Sequence, residues 1–268
     1  MIKHFKKHKH LLVNAGLLSL IAGLVGVGII IIWIATLKVP DFRSFDERRI
    51  ARSTKIYDRT GEVLLYDIHQ DIKRTVIGAD EMGENIKEAT VAIEDEKFYS
   101  HNGIQIRSII RALLANLKSG GFSQGGSTIT QQIVKNSLLT TDKKISRKLK
   151  EVFLAVKIER ELEKDEILEI YLNESPYGGS IYGIKEATNA FFGKEPLDLT
   201  VAESAYLAAM PQAPTRYSPY GQNLGLLEAR KNLVLGKMHS LGFITDEEFE
   251  SAKLEVVTFQ PQDRWGIK

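Results

Sequence analysis

Apolar positions are crowded at the start of this chain and spaced out after it. From Leu11 to Leu37 no residue is charged, a run longer than the ~20 residues that cross a bilayer as a helix. Bulky residues, Ile29 to Ile32 and Trp33, fill its far end, so it lacks the short apolar core and small-residue cleavage site of a secretory signal peptide. It reads as an uncleaved signal anchor. Lys3, Lys6, Lys7 and Lys9 precede it, and the positive-inside rule then puts residues 1–10 in the cytoplasm and the rest outside. Gly16, Gly23, Gly26 and Gly28 allow close helix packing there, or are ordinary glycine use in a membrane helix.

Beyond the anchor the pattern changes twice. Pro40 to Arg52 reads as a linker. Thr54–Asp58 and Glu62–Tyr66 read as strands around an Arg59-Thr60-Gly61 turn, and Lys73–Ile77 as a further strand. After Gly78 the spacing becomes helical. It predicts helices over Met82–Glu94 and Ile104–Lys118, and one opening at Thr128, where Gln131 three residues on makes a capping box. More follow over Ile145–Leu162, with Leu149, Val152, Phe153, Val156 and Ile158 inward, over Ile167–Asn173 after Lys164-Asp165-Glu166, and near Ile184–Phe192. Thr200 and Glu203 cap another that stops before Pro211. Leu226–Leu241 ends at Gly242, and Thr245 caps a last short helix. The expected fold class is mainly α, with one transmembrane helix and a small β segment ahead of the principal domain. Ile104–Lys118 is either a core helix with a solvated edge or a helix lying on the membrane surface.

Composition sharpens this only in part. The net charge is +2, and the four lysines ahead of the anchor more than account for it, so bulk charge makes no case for nucleic acid. There is no cysteine, which excludes disulfides, thiolate metal sites and cysteine nucleophiles.

Candidate chemistry gathers between Ala92 and Glu151. Glu94 follows an apolar helical run and precedes Phe98 and Tyr99. A carboxylate shielded by aromatics has a raised pKa and can move a proton; the plainer reading is a solvated or Lys97-paired acid. Gly125-Gly126-Ser127-Thr128 opens a helix whose free amides favour an anion, or is a flexible loop with a good cap. Gln131, Gln132 and Lys135 add two amides and an ammonium that capping alone does not need. Arg147, Lys148 and Glu151 share one helix face, either as a surface ladder of little energetic weight or as a cradle for pyrophosphate.

Taken together, in this order and behind an anchor, these clusters resemble the family 51 peptidoglycan glycosyltransferases: the transferase domain of class A penicillin-binding proteins and the monofunctional transglycosylases. The runs that carry the resemblance are Glu94-Asp95-x-x-Phe98-Tyr99-x-His101-x-Gly103, Gly125 to Gln132, Arg147-Lys148-x-x-Glu151, Lys164 to Asn173, and Arg230-Lys231-Asn232-x-Val234-Leu235. It covers roughly residues 54–258. The resemblance implies a lysozyme-like, largely helical transferase domain with a membrane-embedded small lobe. It implies lipid II as acceptor and a glycan chain on undecaprenyl pyrophosphate as donor. Glu94 and Glu151 would be catalytic, Glu94 as the base that takes the acceptor's proton. Asp95, Phe98, His101, Ser127, Thr128, Gln131, Gln132, Lys135, Arg147, Lys148 and Asn173 would bind substrate. A divalent cation, Mg or Mn, is used by some of the family, and no organic cofactor is expected. The expected location is the bacterial cytoplasmic membrane, single-pass, with the catalytic domain outside. Other cell-wall synthesis or division proteins are expected partners, and nucleic acid is not.

The expected division is 1–10 cytoplasmic tail, 11–37 anchor, 38–77 linker and β segment, 78–258 transferase domain, and 259–268 tail or linker. No Ser-x-x-Lys or Lys-Thr-Gly occurs, so no transpeptidase motif is present; the chain is a monofunctional enzyme or the N-terminal part of a longer one. The rival readings are a lysozyme-like muramidase, which needs no pyrophosphate cradle, and a membrane-anchored scaffold of the wall-synthesis complex.

Overall fold

The computed structural model describes residues 14, 16–26, 28, 54–57, 64–68, 74–108, 111, 126–137, 144–220 and 222–261. The chain divides into two compact units, Met1–Pro40 and Asp41–Lys268. In the first, residues 16–26 are helical, and Leu17, Leu18, Leu20, Ile21, Leu24 and Val25 are exposed. Among the described residues no helix is long and apolar enough to cross a membrane. The remainder of the expected anchor, the cytoplasmic tail, the linker, the loop from Ser119 to Gly125 and most of the expected Ile104–Lys118 helix lie outside the described residues.

The second unit opens with an antiparallel pair, β1 (Thr54–Tyr57) and β2 (Leu64–Ile68), with Ile56 opposite Tyr66. The return strand sits further along the chain than its expected span. The third strand expected over Lys73–Ile77 does not form: residues 74–78 carry no strand. The reason is specific. The Ile77 N–H donates to Asn173 Oδ1 at 3.1 Å, and Asn173 Nδ2 donates to Ile77 O at 2.9 Å. A side chain from a distant helix thus takes both backbone groups a ladder would have used.

The body is helical. It comprises α1 (Glu84–Glu94), α2 (Ile129–Ser137), α3 (Lys144–Glu161), α4 (Lys164–Glu174), a short hairpin of β3 (Pro176–Gly178) and β4 (Ile181–Tyr182), α5 (Ile184–Phe192), α6 (Val201–Ala209), α7 (Leu224–Ser240) and α8 (Asp246–Leu254). Its centre is α6. Ala202, Ala205, Ala208 and Ala209 are all but inaccessible, and small side chains let α1 and α7 pack closely against this helix. The Thr200 hydroxyl accepts from Glu203 N at 3.2 Å, while the Glu203 carboxylate accepts from Thr200 N at 3.0 Å. The expected capping box therefore starts α6, and a similar one at Thr245 starts α8. A second layer sets α2 against α3 and α4.

On α3 the buried stripe is Glu151, Leu154, Ala155 and Ile158. It is rotated from the expected one, and Leu149 is exposed. Ile158 is inward as expected, Val152, Phe153 and Val156 are half-buried, and the carboxylate of Glu151 takes a place on the inner face that a hydrophobic count does not assign to it. The last described segment is also fixed to the body rather than loose. Gln260 N donates to Phe191 O at 2.8 Å, and Phe259 packs on Phe192 and Tyr206.

Candidate active site

The last residue of α1, Glu94, stands at the edge of a polar cleft of ≈ 90 Å³. Ser127 and Thr128, at the start of α2, line the same cleft. The first two sequence clusters therefore meet. Gln132, one turn into α2, donates through Nε2 to Glu94 Oε2 at 2.7 Å. The other carboxylate oxygen, Oε1, is buried and has no hydrogen-bond donor among the described residues, and Arg230 Nη2 lies 3.8 Å from it. Burial pushes the Glu94 carboxyl above the ordinary carboxylate range. The Gln132 hydrogen bond and the charges of Arg230 and Lys237 pull it back in part, and Asp95 adds to the rise. Arg230 is itself fixed: its Nε donates to Ala209 O at 2.9 Å, and its guanidinium lies over the Tyr217 ring.

Asp95 faces inward. Its Oδ2 accepts from His101 Nε2 at 2.9 Å and from Ile129 N at 3.1 Å, and its Oδ1 accepts from Gln105 Nε2 at 2.6 Å. The Gly103 N–H donates to His101 Nδ1 at 3.1 Å. That bond makes Nδ1 an acceptor and leaves Nε2 to donate to Asp95. Gly103 has a φ of +87°, and a Cβ there would lie 2.8 Å from the backbone carbon and oxygen of Ala155. Its carbonyl accepts from Thr128 Oγ1 at 2.7 Å. The loop between α1 and α2 is thereby bound to α3 on one side and to the start of α2 on the other. Phe98 has no accessible surface. It supports this loop, with the Lys164 ammonium 4.5 Å from its ring centre.

Two further expectations shift when geometry is considered. Gln131 is fully buried and completes the α2 capping box: its Oε1 accepts from Thr128 N at 3.0 Å, and its N–H donates to Thr128 Oγ1 at 3.2 Å. Capping accounts for its oxygen, while Nε2 is buried with no hydrogen-bond partner among the described residues. Asn173 spends both side-chain polar atoms on Ile77, well inside the body. Lys135 is exposed on α2, and no described residue pairs with it.

The third cluster forms a compact group at the start of α3. Lys148 Nζ donates to Ser127 Oγ at 2.8 Å and to Glu151 Oε2 at 2.8 Å, while Arg147 Nε lies 3.6 Å from Glu151 Oε1. Glu151 is buried; Arg147 and Lys148 are more than a third exposed. The buried acid therefore orients two cations whose outer faces remain available to an anion.

Some participants carried no local signal. Arg111, Ser108 and Gln105 form a hydrogen-bonded line along the cleft wall that ends on Asp95. Buried Glu159 accepts from Thr130 Oγ1 at 2.5 Å and from Lys164 Nζ at 2.6 Å. Lys237 lines the cleft from α7, 3.8 Å from Glu96. Arg230 stood in a recognisable run without an assigned role.

A shielded carboxylate with one free oxygen thus shares a cleft with a hydroxyl, and that hydroxyl is bonded to a cation oriented by a buried acid. The chain is a member of the transglycosylase family, whose model matches residues 61–239. It is 45% identical over 218 residues to penicillin-binding protein 1A/1B of Bacillus subtilis, covering 80% of this chain and 24% of that protein. It is 37% identical over 251 residues to penicillin-binding protein 1A of Aquifex aeolicus, covering 93% and 34%. Against penicillin-binding protein 1A of Escherichia coli it is 37% identical over 220 residues, covering 82% and 26%. The chain thus spans about a quarter to a third of the length of these relatives.

Proposed function

We propose that this chain is a peptidoglycan glycosyltransferase. It polymerises lipid II into glycan strands and releases undecaprenyl pyrophosphate. The observation that carries the reading is Glu94: one oxygen held by Gln132, the other buried and free of donors. The free Oε1 takes the proton of the acceptor's 4-hydroxyl as that oxygen bonds to the donor's anomeric carbon from the face opposite the pyrophosphate. The carbon–oxygen bond to pyrophosphate breaks, and configuration inverts. Burial favours this role, since it makes the carboxylate a stronger base than an exposed one. Charge accumulates on the departing pyrophosphate, and Lys148 and Arg147, preset by Glu151, stabilise it there. Such preorganised charge is a large contribution to catalysis. Lys135 extends the cationic surface along α2. Ser127, bonded to Lys148, serves the same group. Asp95, Phe98, His101, Thr128, Gln131 and Asn173 act from behind, by holding the loop and the helix starts.

The described residues form no protein cage for a divalent cation. Both Glu151 oxygens face cations, and among the described residues no group of three or more acidic or histidine side chains could hold a metal. No step is derived through one. The domain is of the lysozyme-like type and works at the outer face of the bacterial cytoplasmic membrane. It is tethered by the uncharged run Leu11–Leu37, whose described leucines and isoleucine are exposed. Partners in wall synthesis or division act on the same surface of the membrane.

The test is polymerisation of labelled lipid II by the full chain in detergent. Glycan ladders together with released polyprenyl pyrophosphate are expected. Cleavage of preformed glycan without ladders would give the site to a hydrolase.

A further inference from the structure

We propose that Tyr171 is a positioning residue for the transfer reaction: its hydroxyl fixes the side-chain amide of Gln132 so that Nε2, and not Oε1, faces Glu94. This rests on the reading of Glu94 as the base. An amide presents a donor at one end and an acceptor at the other, and which end faces a neighbour is decided by its other contacts. Here Tyr171 Oη donates to Gln132 Oε1 at 3.4 Å, and Gln132 Nε2 donates to Glu94 Oε2 at 2.7 Å. Tyr171 comes from α4 and is 2% exposed. Burial holds its phenol far above its ordinary range, so the hydroxyl keeps its proton at any working pH and is available to donate to Gln132 Oε1.

The orientation has a chemical consequence. With Nε2 toward it, Glu94 is favoured as the charged carboxylate, because an N–H bond stabilises the negative oxygen. Turned over, the amide would present a carbonyl oxygen. That oxygen repels the carboxylate and accepts a bond only from the protonated acid. The flip would convert a base ready to accept a proton into a neutral acid. Other groups facing Glu94 do not fix the amide: Arg230 and Lys237 come from α7 and act through charge, and Asp95 is turned to His101, Gln105 and Ile129.

The experiment is the pH dependence of lipid II polymerisation by the full chain, comparing wild type, Tyr171→Phe, Gln132→Leu and the double variant. Tyr171→Phe should lower kcat about ten-fold with a smaller change in KM, the size expected for one neutral hydrogen bond acting on the base. It should also move the acidic limb of the profile to higher pH. With Gln132→Leu in place, the second substitution should change neither the limb nor kcat further, because the hydroxyl acts only through the amide. A Tyr171→Phe profile superimposable on wild type would overturn the proposal, as would additive effects in the double variant. A Tyr171→Phe chain that no longer folds would show the hydroxyl to be a requirement of the core and overturn it equally. Absence of polymerisation by the wild type would instead refute the proposed activity.

Discussion

Gly103→Ala isolates the packing that joins the catalytic loop to the body. Two penalties apply at this position. A φ of +87° is costly for any residue with a Cβ, by about 1–2 kcal/mol. The added methyl would also meet the Ala155 backbone at 2.8 Å and Val156 N at 2.9 Å. These are backbone atoms of α3 and cannot rotate away, so the loop must move, at the ~1–3 kcal/mol typical of overpacking. The sum is about 2–5 kcal/mol, a large share of the ~5–15 kcal/mol that holds a domain together. Gly242 provides the internal control, since it also has positive φ, +76°, but has open space where a Cβ would go. Gly242→Ala should show only the conformational penalty of about 1–2 kcal/mol. Denaturant unfolding of the full chain in detergent measures both. Equal losses at the two glycines would refute the close approach of the loop to α3. Activity should separate them further: displacement of Gly103 disturbs the carbonyl that Thr128 binds and the N–H that His101 binds.

Three other outcomes follow from the same geometry. Glu94→Gln should unfold at higher denaturant than wild type at neutral pH. The folded protein raises the Glu94 pKa above its ordinary 4.5, so within that window the folded state binds the proton more tightly; stability falls as pH rises through it, and the amide removes the loss. Below pH 4.5 the gain should vanish, and a neutral-pH variant no more stable than wild type would contradict the shift. Lys148→Ala should cut kcat/KM about 10- to 100-fold in steady-state assays, with Lys148→Arg partly restoring it, as expected where preset charge meets a leaving group. Asn173→Ala strips both bonds from Ile77 and should cost about 2–4 kcal/mol in denaturant unfolding; a drop in kcat with no change in stability would place Asn173 at the substrate instead.

Local rules of the sequence reached far into this fold. Capping boxes at Thr128, Thr200 and Thr245 all formed where Ser/Thr and Glu/Gln stand three apart. Helix α5 occupies its expected span, because these starts depend on neighbours within one turn. Failures occurred where a distant partner decides. Lys73–Ile77 had the composition of a strand, yet Asn173, 96 positions from Ile77, claims the Ile77 backbone. The inner face of α3 was only partly placed, at Ile158, because Glu151 also lies on it and a hydrophobic count treats a buried carboxylate as solvent-facing. At the site, the pairing of Glu94 with Gln132 and of Ser127 with Lys148 joins clusters that were legible one by one. The support behind them was not. Asp95 on the α2 start, Glu159 between Thr130 and Lys164, and Tyr171 behind Gln132 are contacts across the chain that no spacing encodes. Gln131 completes its cap with Oε1 and leaves Nε2 buried with no partner among the described residues.

Glycan polymerisation by wild type and Glu94→Gln, side by side on labelled lipid II, tests the central claim most directly. Glu94→Gln keeps the shape of the side chain and removes only its capacity to take a proton. Ladders from the wild type and none from a folded Glu94→Gln protein are the predicted result. Ladders of similar length and rate from both would contradict the assignment of Glu94 as the base.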